Sequence, residues 1–180
     1  MKESNELVTR RVVLGKDAAG ESAVLFDDKA QKVVQWTPGV DSVAVLWSEE
    51  AGAPTAHPGG DPTLDVTQLF PPVGSVRFVQ LRFRTDYSKS DKLGSEQYGD
   101  AYERAGLELN TASHDGGWHS TASVDYGVVV QGTMELQMRN GDSVVLRPGD
   151  TYVQRGGDHK WRPLGDEDVV MSVVIVGVKD

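Results

Sequence analysis

The sequence contains no cysteine among its 180 residues. Disulfides, thiolate metal sites and cysteine nucleophiles are therefore excluded. Histidine is scarce too: 4 copies, so any metal must be held by those imidazoles together with Asp, Glu or Gln. Cations are outnumbered, 18 Lys and Arg against 27 Asp and Glu, which leaves a formal net charge of −9. That balance argues against nucleic acid, whose phosphates need basic side chains, and against an anionic membrane surface. No apolar run reaches the roughly 18 residues of a membrane-spanning helix. Residues 1–6 are polar and lack the apolar core of a secretory signal, so a cytoplasmic protein is expected. The length suits one domain, or one domain with an extension.

Glycine is abundant, with 20 copies, and together with proline it punctuates short runs of alternating, β-branched character. Residues 10–14, 22–26, 32–36, 42–47 and 75–83 read as strands, the last alternating most cleanly. Residues 51–62 read as a Gly- and Pro-rich loop, and Pro71-Pro72 marks a further break. From residue 123 the strands return at close intervals: 124–130, 133–138, 143–146, 151–154, 160–162 and 168–178. Asn140-Gly141 signals a tight hairpin of the primed type. One segment breaks the pattern. Tyr98, Ala101, Tyr102 and Ala105 recur at helical spacing, which predicts a short helix over about 92–106 with Ser95 as N-cap and Gly106 as stop. Many short strands with tight turns predict an all-β sandwich or barrel.

The chemistry-bearing residues lie where strands meet glycine-rich turns. His119 opens the run His-Ser-Thr-Ala-Ser-Val-Asp-Tyr-Gly, and His159 follows Gln154-Arg155-Gly156-Gly157-Asp158. Residues 117–162 resemble the cupin superfamily of small β-barrels. The first cupin motif is matched by His119, Thr121, Asp125 and Gly132, the second by Gly149-Asp150, Gly156-Gly157 and His159. Asp125-Tyr126-Gly127-Val128-Val129, with Val153-Gln154-Arg155-Gly156 before His159 and Trp161, is similar to a subgroup of small bacterial and fungal single-domain, cupin-2-like members. The resemblance implies a cupin barrel (double-stranded β-helix, or jelly roll) over 75–180, with the helix inserted at about 92–106 and an N-terminal β extension over 1–74 packed on it.

Departures from the motif shape the expected site. Thr121 stands where a typical cupin has its second metal-binding His, Asp125 where it has Glu, Gln154 for the Pro, and Pro163 for the trailing Asn. The resemblance then leaves His119, Asp125 and His159 as the expected metal ligands. Two imidazoles and a carboxylate on one face of an octahedral ion would leave positions open for substrate. Six residues in one straight strand would hold His119 and Asp125 about 20 Å apart, so the chain must turn near Ala122-Ser123 for them to share an ion. The catalytic set expected is His119, Asp125, Tyr126 and His159, and the substrate-binding set Thr121, Gln131, Gln154 and Trp161. His114 and His57 read as solvated loop residues, and Arg10-Arg11 with Asp27-Asp28 as surface charges.

The expected function is that of a small-molecule enzyme: a metal-assisted lyase (decarboxylase or dehydratase) or isomerase acting on a carbonyl or carboxylate metabolite, with secondary metabolism implied by the resemblance. An Fe(II)-dependent dioxygenase and a non-catalytic binding cupin are the alternatives. The cofactor expected is a divalent ion (zinc, manganese, iron or nickel) or none. The partners expected are a small-molecule substrate and a second copy in a homodimer, with no nucleic acid and no membrane.

Overall fold

The computed structural model describes residues 9–37, 41–52, 60–84, 95–104, 106–108 and 116–179. The first strands are β1 (Arg10–Lys16), β2 (Ser22–Lys29), β3 (Lys32–Thr37), β4 (Asp41–Glu49) and β5 (Val76–Phe83). Helix α1 (Ser95–Arg104) comes next and packs against β3. Strands β6 (Ser123–Gln131), β7 (Thr133–Met138), β8 (Ser143–Leu146), β9 (Thr151–Arg155), β10 (His159–Leu164) and β11 (Val169–Gly177) complete the order. The fold is all-β, a jelly-roll barrel with one short helix, as expected. Among the described residues, no helix is long and apolar enough to cross a membrane.

A six-stranded sheet runs β3-β4-β5-β11-β6-β9, and a three-stranded sheet runs β10-β7-β8. Alternation decides which side chains meet between them. Along β11, Val169, Met171, Val173 and Ile175 are almost wholly buried while their neighbours are only half-buried. They join Val79, Val129, Met134, Leu136, Leu146 and Trp161 in one core. Each such aliphatic side chain contributes about 1.5–3 kcal/mol by leaving water. Pro163 sits in β10, where the missing N–H is tolerated because β10 is an edge strand.

One turn and one charged residue differ from the sequence expectation. Among the described residues only glycines have positive φ, so the turn at Asn140-Gly141 is not of the primed type. Gly141 N–H bonds Met138 O at 3.1 Å and Gly141 takes φ 95°, a type I turn closed by a left-handed glycine. Arg11 is not a surface charge. Strands β1 and β2 form a separate ribbon, and its inner face carries the Arg11 guanidinium, 3% exposed, between Asp28 and Asp61. Arg11 also donates to Thr63 Oγ1 and Leu46 O, and lies over the Phe26 ring at 5.2 Å. Arg10 with Asp27 does lie outside, as expected. The stripe expected on the helix falls on Tyr98, Ala101, Tyr102 and Ala105, whose side chains lie outside the described residues, as do His57 and His114.

Candidate active site

Two glycines place the two histidines. Gly117 and Gly157 both take positive φ (84° and 81°), and each is followed two residues later by His. The turn aims the glycine carbonyl back at the ring: His119 Nδ1 lies 3.1 Å from Gly117 O, and His159 Nδ1 lies 2.9 Å from Gly157 O. A carbonyl only accepts, so each Nδ1 carries a proton, and a ring in its neutral form keeps its lone pair on Nε2. The segment before β6 runs antiparallel beside β10, and His119 and His159 exchange both backbone hydrogen bonds at 3.0 Å. Their rings meet at 4.4 Å between centroids, tilted 56° to each other. Burial pushes the His159 imidazole below its usual pKa, which holds it neutral. On the outside, Arg139 braces both turns, with its guanidinium over Trp118 at 4.3 Å and its Nε 3.2 Å from Asp158.

The expected bend between His119 and Asp125 occurs at Ala122, and β6 starts at Ser123. Asp125 faces the barrel interior with Gly127 and Val129. It does not join the imidazoles. Ser123 Oγ donates to Asp125 Oδ1 at 2.7 Å, and Thr121 Oγ1 lies 2.8 Å from Ser123 Oγ. The result is a chain of hydroxyls, Thr121–Ser123–Asp125, with both hydroxyl residues buried. Burial pushes the Asp125 carboxyl up to about 6, partly offset by the Ser123 hydrogen bond.

Among the described residues, no three His, Asp or Glu side chains converge on a point where an ion could sit. Cupin domains commonly bind a divalent metal, but the His119–Asp125–His159 triad expected for it is not assembled here. The residues present supply two pinned imidazoles and a carboxyl engaged elsewhere, which does not fit a three-ligand centre.

The remaining expected residues divide. Gln154 is buried opposite Asp125 across the β6–β9 ladder, but its Nε2 donates to Gly156 O at 2.5 Å and so holds the turn before His159. Trp161 shares the inward face with His159, edge-on at 5.8 Å. Tyr126 does not reach the site. It alternates with Asp125, points outward and is 52% exposed. Gln131 lies exposed at the far end of β6, six residues and about 20 Å from Asp125, and reaches Asp168 O instead. A residue the sequence reading passed over occupies the interior. Tyr152 pairs with Gly127 across β6–β9, and its ring packs on Trp161 at 5.0 Å between centroids. Its signal was Gly127: a glycine in mid-strand leaves room for a large neighbour.

A cleft lies elsewhere, on the outer face of the six-stranded sheet beneath the β1–β2 ribbon. It holds about 1210 Å³ and is lined by Phe26, Trp47 and Phe78 among others. None of the interior residues described above borders it.

Comparison with known proteins finds similarity over part of the chain. The Cupin_2 family model, described as "Cupin domain", matches residues 107–176. The chain is 47% identical over 45 residues to oryzines biosynthesis cluster protein J of Aspergillus oryzae, 25% of each chain. It is 44% identical over 43 residues to the cupin-domain-containing oxidoreductase fogC of Aspergillus ruber, 24% of this chain and 21% of that one. The matches to these curated relatives span about a quarter of their length. Among solved structures it is similar to a cupin-2 domain-containing protein of Shewanella frigidimarina, with 18% identity, a TM-score of 0.32, and coverage of 55% and 68% of the two chains. Residues 107–176, within this all-β fold, are thus similar to a cupin domain of the cupin-2 type.

Proposed function

We propose that the chain is a small-molecule enzyme of secondary metabolism, a lyase or isomerase that moves a proton next to a carbonyl or carboxylate group. The observation that carries this reading is Asp125: an inward-facing carboxyl raised to about 6 by burial, with a hydroxyl chain behind it. A carboxyl with that pKa is about nine-tenths ionised at pH 7, yet more basic than a solvated aspartate by about 2 units. It is matched to taking a proton from an acidic carbon and returning it. Ser123 steadies the carboxylate, and Thr121 orients the Ser123 hydroxyl. The paired imidazoles, with Trp161 beside them, form an aromatic wall for the rest of the substrate.

The test is α-proton exchange in D2O, followed by proton NMR on 2-indanone and 2-oxobutanoate. The wild type is expected to accelerate exchange of at least one probe, and Asp125→Asn to lose about 100-fold or more. Exchange undiminished in Asp125→Asn, or absent from the wild type with both probes, contradicts the proposal.

The name of fogC supports a second reading, an oxidoreductase. It predicts substrate-dependent oxygen uptake that needs added iron, a dependence the proton-transfer reading does not predict.

A further inference from the structure

Resting on that reading, we infer that Tyr152 is the partner of Asp125 in the reaction: its hydroxyl binds the carbonyl oxygen of a ring-bearing, enolisable ketone while Asp125 takes the α-proton. Three observations place it. A methyl group built on Gly127 would fall within the Tyr152 ring, meeting Cζ, Cε1 and the hydroxyl oxygen. The phenol therefore lies across β6 in space that only glycine leaves open. Gly127 and Asp125 are two apart on the same strand and so share its inward face. Tyr152 and Asp125 both keep partial access to solvent, as a substrate requires.

The aromatic lining gives the substrate class, its neighbouring rings tilted at 57°, 86° and 56° to one another. Tyr152, Trp161, His159 and His119 follow one another at centroid distances of 5.0, 5.8 and 4.4 Å. Tilted faces and edges of this kind suit the edge-to-face contacts of an apolar, ring-bearing ketone. Burial and the nearby Asp125 charge both push the phenol above its usual pKa, so it remains an O–H donor at working pH.

The step balances within the site. Asp125 accepts the α-proton, and the C–H electron pair becomes the C=C bond of an enolate. The carbonyl π pair moves to oxygen, where the Tyr152 O–H holds it. Returning the proton at a different carbon completes an isomerisation, and departure of a β-substituent with its bonding pair completes an elimination.

The test uses 2-indanone exchange in D2O with Tyr152→Phe, which keeps the ring against Trp161, and Gly127→Ala, which displaces the hydroxyl. Tyr152→Phe is expected to lower the limiting exchange rate by about 10- to 100-fold with KM within about threefold. Gly127→Ala should match it. If Gly127→Ala does not fold, Tyr152→Phe decides alone. Full exchange in Tyr152→Phe beside a dead Asp125→Asn overturns this inference and leaves the proposed function standing. No exchange by the wild type overturns both. A second measurement needs no turnover: carbon NMR of the Asp125 carboxyl should show its pKa displaced by about half a unit or more in Tyr152→Phe. An unmoved pKa contradicts the pairing.

Discussion

Asp125 shows what a single residue's surroundings decide. Its hydrogen bond comes from the neutral Ser123 hydroxyl, so burial dominates and its folded pKa rises to about 6. A folded state that binds a proton more tightly than the unfolded chain loses stability as pH rises through that interval, here from about 4 to 6. The cost is complete above 6 and amounts to at most about 3 kcal/mol. Asp125→Asn should therefore raise Tm at pH 8 and leave it nearly unchanged at pH 4. A gain of equal size at both pH values would show that ionisation is not the cause. His159 runs the other way. Its folded pKa is lowered, so it opposes folding as pH falls below about 6.5. The two histidines were legible from Gly-rich turns and motif spacing. The repeated Gly-x-His that pins both rings was equally present, at Gly117 and Gly157. Tyr126 drew attention through its neighbour Asp125, but alternation sends adjacent strand residues to opposite faces. Tyr152 was hidden because its contact with Gly127 crosses between strands 25 residues apart in sequence.

At the scale of elements, the strands were legible because apolar alternation and glycine-marked turns coincide. Strands β7 and β8 match their expected limits, and β6, β9, β10 and β11 differ by one or two residues at their ends. What the sequence could not express was which faces become covered. Arg11 reads as a charge in an exposed ribbon, and only the approach of Asp61 from the turn after β4 makes it a buried anchor. Arg11→Ala leaves Asp61, 8% exposed, without its cation, and should cost about 3–5 kcal/mol in urea denaturation. A loss below 1 kcal/mol would show that the ribbon is held by its apolar contacts instead. Gly177 closes β11 against the chain at Pro71 and Pro72, whose carbonyl oxygens occupy the space of any Cβ there. Backbone must shift to admit one, so Gly177→Ala should lower stability by about 1–3 kcal/mol. Gly20 has open space around it, but its φ of 83° adds strain to any side chain, so it is no neutral control. The comparison is with wild type by thermal melting, and an unchanged Tm would contradict the close approach.

Across the whole molecule, the two sheets enclose the candidate site and the ribbon covers part of the outside. The outer face carries one cross-strand row, Trp47–Phe78–Val174–Tyr126–Val153, in register over five strands. The ribbon shelters the Trp47 end through Phe26, with ring centroids 6.1 Å apart, while Tyr126 and Val153 stay more than half exposed. Inside, the same register brings Gly127 opposite Tyr152 and Asp125 opposite Gln154, and so collects the aromatic wall and the raised carboxyl. The fold was legible from spacing and turns, and the family resemblance pointed to the candidate site. The third metal ligand expected from that resemblance was not assembled, because Asp125 turns to Ser123 rather than to the imidazoles. The central claim is that the barrel interior holds a proton-transferring carboxyl. A carbon NMR titration of Asp125 in the intact protein measures it most directly: the account predicts a midpoint near 6, and a midpoint at or below 4 would contradict it.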